Sequence, residues 1–185
     1  SKFETVSTVF SLDSSKYFLN SILPGVLDIM GADTNKVIPI EGLFSPLLLD
    51  DNSVDLVVAS SVLHHADNLE NLLSEIKRVL KSEGYLLILN ETPSSSFKYL
   101  GLITKAFVRI FKNTLTRRYF SSSSSISSSG YLYDPILGDI DYPLWYWMDS
   151  IKHAGYSVID IYDTNLPTLK NRKGKALTHF ICKPD

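Results

Sequence analysis

Residues 54–59, Val-Asp-Leu-Val-Val-Ala, form a nearly unbroken apolar run that stops at two serines, Ser60 and Ser61. A strand exposed on one face alternates polar and apolar residues. A strand covered on both faces does not, and that condition belongs to parallel sheets inside α/β domains. The next clear element is helical: Leu69, Leu72, Leu73, Ile76, Val79 and Leu80 fall on one face at 3.6-residue spacing. Asp67 is placed to cap that helix with Glu70 as its capping-box partner, and Gly84 to stop it. A second apolar strand, Tyr-Leu-Leu-Ile-Leu at 85–89, follows. Strand, helix and strand over 54–89 predict a right-handed βαβ unit. Ligands of such sheets sit beyond the carboxyl ends of the strands, which puts Ser60, Ser61, His64 and His65 at the edge where chemistry is expected.

The remaining elements fit the same architecture. A β-branched stretch over 5–13 ends in Asp13 and reads as a strand. Residues 14–33 read as a helix interrupted at Pro24-Gly25, and 36–40 as a short strand. After Asn90 the chain turns apolar and basic. Lys98, Lys105, Arg109, Lys112, Arg117 and Arg118 are interleaved with Phe97, Phe107, Ile110 and Phe111, and a serine tract occupies 121–130. We expect 93–141 to form a lid or acceptor insertion with a mobile serine-rich part, the basic stretch being either a dock for an acidic carrier or a solvated helix face. A helix over 141–155 and strands over 156–163 and 176–183 close the chain. Trp145, Tyr146 and Trp147 offer an acceptor-pocket lining, but neighbours on a helix cannot all face one way, so at least one belongs to the core.

Composition narrows the function classes. The 185 residues, 44% hydrophobic and 21% charged, suit one soluble domain. A net charge of −2 gives no global attraction to nucleic acid or to an anionic membrane. No apolar run approaches the ~18 residues of a membrane span, and the N-terminus lacks a signal-peptide core. Cys182 is the single cysteine. It excludes an internal disulfide, suits a reducing compartment and points to a cytoplasmic setting. No metal-ligand motif is expected.

The stretch 47–92, with its acidic turn, strand, Leu-His-His turn, amphipathic helix and Gly-x-Leu-Leu-Ile strand, resembles the class I S-adenosylmethionine-dependent methyltransferases. The late segment 145–163 resembles the helix, Ala-Gly turn and strand that close that family's sheet. The resemblance implies a Rossmann-like three-layer sandwich, mostly parallel with an antiparallel last strand. It also implies S-adenosylmethionine as cofactor and S-adenosylhomocysteine as product. Within the family, Leu-Val-Val-Ala-Ser-Ser-Val-Leu-His-His and the segments around 88–107 and 143–161 are similar to C-methylating domains of polyketide and fatty-acid megasynthases. That likeness implies a small-molecule or acyl-carrier-bound acceptor and neighbouring domains in a longer chain.

Site residues follow residue by residue. His64 takes the place of the subfamily's motif histidine, a base for the acceptor's proton. Its structural alternative is a ring packed under the helix start. The subfamily's partner glutamate falls on Asn90, with Glu91 beside it. Asp13 takes the place of the acid that grips the ribose hydroxyls, or else caps the following helix. Glu41 lies close to the family's adenine acid, Leu43 takes that acid's slot, and Phe44 adjoins it. Ser60 and Ser61 leave room for ligand at the strand end, or simply terminate the strand. The family's first strand and its glycine-rich loop have no counterpart before residue 5. The expectation is therefore an N-terminally truncated domain, a strand supplied by another chain, or a rearranged sheet. A catalytically inactive structural or docking module is the alternative function.

Overall fold

The computed structural model describes residues 5–94, 100, 101, 103–105, 107, 108, 111, 125, 126, 130–134, 138–165 and 176–185. They fall into two compact units that divide after Leu48. In the first, β1 (Val9–Asp13) and β2 (Val37–Glu41) pair in parallel from Val9↔Val37 to Asp13↔Glu41, so both strands end in a carboxylate at the same edge. The strand starts later than residue 5, and the helix expected over 14–33 is shorter. A π-turn (Phe18–Ile22) leads into α1 (Leu23–Ile29). Pro24 does not interrupt this helix but sits in its first turn, where a missing N–H leaves no bond unmade.

The second unit is built on a four-stranded sheet in the order β3 (Val54–Ser60), β4 (Leu80–Glu91), β8 (Ala176–Pro184), β7 (Tyr156–Asn165). β3 and β4 are parallel, and β8 runs antiparallel to both of its neighbours. Between β4 and β7 lie the short pair β5 (Ser125–Ile126) and β6 (Leu132–Tyr133) and the helix α3 (Leu144–His153). The sheets are open, and the fold class is the expected Rossmann-like one. Among the described residues β1 pairs only with β2, and β3 only with β4.

The crossover helix α2 (Leu69–Val79) buries Leu69, Leu72, Leu73, Ile76 and Val79 of the expected stripe, while Leu80, also expected on it, is the C-cap and begins β4. Its cap differs from the expectation. Asn68, in extended backbone, accepts from Asn71 N–H at 2.9 Å, so Asn68 and not Asp67 is the N-cap. The helix also stops four residues before Gly84, which lies inside β4. There the β3–β4 register slips between Val54↔Leu80 and Leu56↔Tyr85, setting the four residues Lys81–Gly84 against Asp55 alone. A Cβ on Gly84 would stand 2.9 Å from the Asp55 carbonyl oxygen and 2.8 Å from Leu80 Cδ1. We expect Gly84→Ala to destabilise the fold by ~1–3 kcal/mol, because a backbone carbonyl cannot swing aside as a side chain would. A urea midpoint unchanged from wild type would refute this.

One expectation about β3 fails. Ala59 is buried, yet Leu56 and Val58 on the opposite face are 52% and 54% exposed. Among the described residues the helices α2 and α3 pack together over one face, with Trp147 stacked on Phe180 at 5.8 Å between centroids. Trp147 is thus the core member of the aromatic trio, while Trp145 is half exposed. Gly155, with φ +80°, ends the turn after α3 in backbone that suits glycine, and its carbonyl accepts from Lys77 Nζ at 2.6 Å. Of the 93–141 insertion, residues 95–99, 112–124, 127–129 and 135–137 lie outside the described residues, and with them Phe97, Lys98, Lys112, Arg117, Arg118 and most of the serine tract. Arg109 and Ile110 lie outside them too. Phe107 and Phe111 are exposed. No helix among the described residues is long and apolar enough to cross a membrane.

Candidate active site

β3 and β4 end side by side, and both end irregularly. Ser61, just past β3, has φ +52°, and Asn90, at the end of β4, has φ +59°. Left-handed backbone is uncommon outside glycine, though asparagine tolerates it, and such positions gather at functional sites. At Asn90 the cause is visible in the pairing with β8. Ile88 faces Phe180 and Glu91 faces Thr178, so two residues of β4, Leu89 and Asn90, stand against the single residue His179. This is a β-bulge. It breaks the alternation of side chains and sends Glu91 inward.

Glu91 is fully buried and serves three donors. Its Oε1 accepts from Val62 N–H and Leu63 N–H, each at 3.0 Å, which fixes the short 3₁₀ turn Leu63–His65. Its Oε2 lies 2.7 Å from His64 Nδ1. A buried carboxylate at that distance accepts a hydrogen bond from Nδ1–H, which puts the lone pair of the neutral ring on Nε2, the nitrogen on the Asp139 side. Of the two candidates at the end of β4, the one in contact with His64 is Glu91 and not Asn90. Asn90 instead donates from Nδ2 to Ser60 Oγ at 2.8 Å. The hydrogen bond to Glu91 raises the pKa of His64 above its ordinary value. Burial works against this, and the charges of Glu91 and Asp139 add to it.

Asp139 was not signalled by the sequence: it is far along the chain and belongs to no motif. Its Oδ1 is 3.4 Å from His64 Nε2 and 3.5 Å from His65 Nδ1. The segment that carries it is strapped onto the histidine turn, with Ile140 N–H donating to the His64 carbonyl and Tyr142 Oη donating to that of Ala66. His65 points its Nδ1 at the Gly138 carbonyl oxygen, 3.1 Å away, and so helps to hold the strap. His64, His65 and Asp139 bring one donor atom each within 4.8 Å of one another, close enough for an ion. His64 is also held by Glu91, and His65 by the Gly138 carbonyl.

In the first unit, Asp13 Oδ1 accepts from Ser15 N–H at 2.7 Å, and Ser15 Oγ from Phe18 N–H at 3.1 Å. Asp13 thus carries the turn that starts the following helix. Glu41 stands opposite it in register, Gly42 N–H donates to the Asp13 carbonyl, and Leu43 is largely exposed. Phe44, half-buried, follows.

Residues 3–88 match the family model of a methyltransferase domain. The chain has the fold of solved methyltransferases over nearly its whole length. A SAM-dependent methyltransferase of Methanosarcina mazei matches with TM-score 0.61 at 17% identity, covering 96% of this chain and 82% of that one. Residues 3–88 thus carry a methyltransferase domain, and the fold is that of the class I S-adenosylmethionine-dependent methyltransferases. The methyltransferase 1,6-didemethyltoxoflavin-N1-methyltransferase of Burkholderia thailandensis, solved with S-adenosylhomocysteine bound, has TM-score 0.56 at 12% identity over 95% of this chain and 60% of its own. Among curated relatives, the hybrid PKS-NRPS synthetase thnA of Trichoderma harzianum is 35% identical over 136 residues, 74% of this methyltransferase domain. The domain spans only 2–4% of the length of the curated relatives it matches. S-adenosylmethionine is the cofactor of the class.

The residues fit that cofactor in kind. A carboxylate at the carboxyl end of a strand, with one oxygen engaged in its own turn, keeps acceptor capacity for a ribose diol. Ser60, Ser61 and Asn90 put small hydroxyl and amide side chains at the ends of β3 and β4.

Proposed function

We propose that this domain methylates a carbon acid, a β-ketoacyl chain held as a thioester on a carrier, with His64 as the base. The observation that supports it most is the 2.7 Å contact between His64 Nδ1 and the buried Glu91 carboxylate at the end of β4. A proton on the carbon between two carbonyls is acidic enough for a neutral imidazole to remove as the new bond forms. His64 Nε2 takes that proton, and Glu91 stabilises the imidazolium that results. The carbon's electron pair forms the C–C bond. S-adenosylmethionine supplies the electrophilic methyl group, the S–CH₃ electron pair returning to sulfur. Within the first unit, Asp13 is the proposed ribose ligand and Glu41, Leu43 and Phe44 the proposed adenine neighbours; within the second, Ser60 and Ser61 are proposed ligand neighbours at the end of β3. The carrier-bound acceptor draws its support from relatives named as polyketide and hybrid PKS-NRPS synthetases.

The reading as an inactive module had two supports in the sequence, the missing glycine loop and the missing glutamate. The position of Glu91 removes the second. Two measurements test the proposal. Calorimetry with S-adenosylhomocysteine is expected to show binding that Asp13→Ala weakens by ~1.5–3 kcal/mol, roughly ten- to a hundredfold in Kd, the value of hydrogen bonds to a charged acceptor. Incubation with S-adenosylmethionine and a β-ketoacyl pantetheine thioester is expected to give a product one methylene heavier, alkylated at the α-carbon. Cofactor binding without that product would defeat the proposed acceptor, and methylation at oxygen would redirect it.

A further inference from the structure

His179 is a buried histidine in the middle of β8, flanked by Thr178 and Phe180, and nothing in the chemistry above uses it. A buried imidazole needs partners for both ring nitrogens. Here Nδ1 accepts the Asn90 N–H at 3.2 Å, and Nε2 lies 2.8 Å from Thr164 Oγ1. A backbone N–H can only donate, so Nδ1 carries the lone pair and Nε2 the proton, which goes to the threonine oxygen. The ring is clamped in plane by Tyr162, stacked at 4.7 Å and 14°.

The place of this bond in the sheet matters. Where a bulge sets two residues against one, the extra residue loses its ladder bond. His179 is the single opposing residue, and its side chain supplies the acceptor that the bulged Asn90 needs. Asn90 keeps φ +59°, left-handed backbone that asparagine tolerates better than most non-glycine residues, and the bond to His179 fixes it there. The bulge is in turn what delivers Glu91 to His64.

We infer that His179 is a positioning residue of this site: by accepting the Asn90 N–H it holds the β4 bulge that aims Glu91 at His64. The inference rests on the reading of His64 and Glu91 as a working pair, but it concerns their contact, which is measurable without turnover. The groups that face His64 are Glu91 from β4, Asp139 from the strap and the neighbouring His65.

The test compares His179→Leu, which removes the acceptor, with His179→Asn, whose side-chain oxygen lies close to where Nδ1 was. The readouts are the low-field NMR signal of the His64 Nδ1 proton, the NMR titration of its ring, and thermal melting. In His179→Leu the low-field signal is expected to be lost and the titration of His64 to fall back toward that of a solvent imidazole. His179→Asn restores both. Where turnover is measurable, kcat falls about 100-fold in the leucine variant with the KM for S-adenosylmethionine unchanged, the cost of a small misplacement of a reacting group. A folded His179→Leu protein that keeps the wild-type signal and titration would overturn the inference. So would a His179→Asn protein that folds yet loses both. If the contact responds as expected but no variant, wild type included, methylates a carbon acid, the proposed function falls and the positioning role stands.

Discussion

Replacing His64 with alanine is expected to lower kcat by ~10²–10⁴-fold, the range for loss of a positioned general base, while S-adenosylhomocysteine binds as before. The prediction separates a base from a structural histidine, because the turn that carries His64 is fixed elsewhere. Glu91 Oε1 holds the Val62 and Leu63 N–H groups whatever stands at 64. A merely structural ring would show its loss in the melting curve and leave the rate of surviving enzyme near wild type. The pH dependence has a definite sign. Catalysis requires the neutral ring, and pairing with Glu91 raises His64 above its ordinary 6.5, so the rate climbs with pH through a midpoint on the alkaline side of that value. Stability runs the other way. A raised folded-state pKa means that the pair's contribution is complete below pH 6.5 and fades as pH rises through the folded value. A flat rate profile across this window would remove His64 from the mechanism.

Glu91→Gln is expected to cost a comparable ~10²–10⁴-fold in kcat through a different route, the tautomer. The glutamine oxygen can still accept from Val62 and Leu63, so the turn is retained. Its amide nitrogen then faces His64 Nδ1 and can only donate, so Nδ1 must offer its lone pair and the proton moves to Nε2. The ring is neutral, in place and unable to accept the acceptor's proton. Stability should drop modestly, by ~1–3 kcal/mol, as a charged hydrogen bond is exchanged for a neutral one in a buried setting. Since His64 loses its main charge partner, any residual activity should shift to lower pH. Kinetics with saturating cofactor, together with the His64 NMR titration, check both expectations. Wild-type kcat in Glu91→Gln would show that the carboxylate is only a structural clasp for the turn.

Much of the architecture was legible because it depends on burial, and burial leaves periodic marks. The stripe of α2 was readable, as were the apolar runs of β3 and β4 and the glycine after α3. Details that depend on local competition were not. Asp67 and Asn68 both make good caps, and only the backbone angles decide for Asn68. Gly84 looked like a helix stop because glycine usually is one; its actual role is to let the slipped stretch of β4 pass close to the Asp55 carbonyl. The double-sided cover expected for β3 failed because an apolar run records what a strand can tolerate, and Leu56 and Val58 are exposed all the same. Asp139 and His179 reach the site from distant segments and carry no local pattern. A polar ring between Thr178 and Phe180 in a buried strand was the one available hint.

The doubled residue opposite His179 bears on how living and dead copies of such domains are told apart. On the proposed reading, a comparison made column by column would score an asparagine at the position of the carboxylate and set the chain among pseudoenzymes. Chemistry depends on reach rather than on column number, and a one-residue slip at a strand end is enough to separate the two. Searches for inactive homologues would do better to ask whether any acid near the end of this strand can meet the histidine, with the partner strand's opposing residue inspected for the polar group that lets it do so.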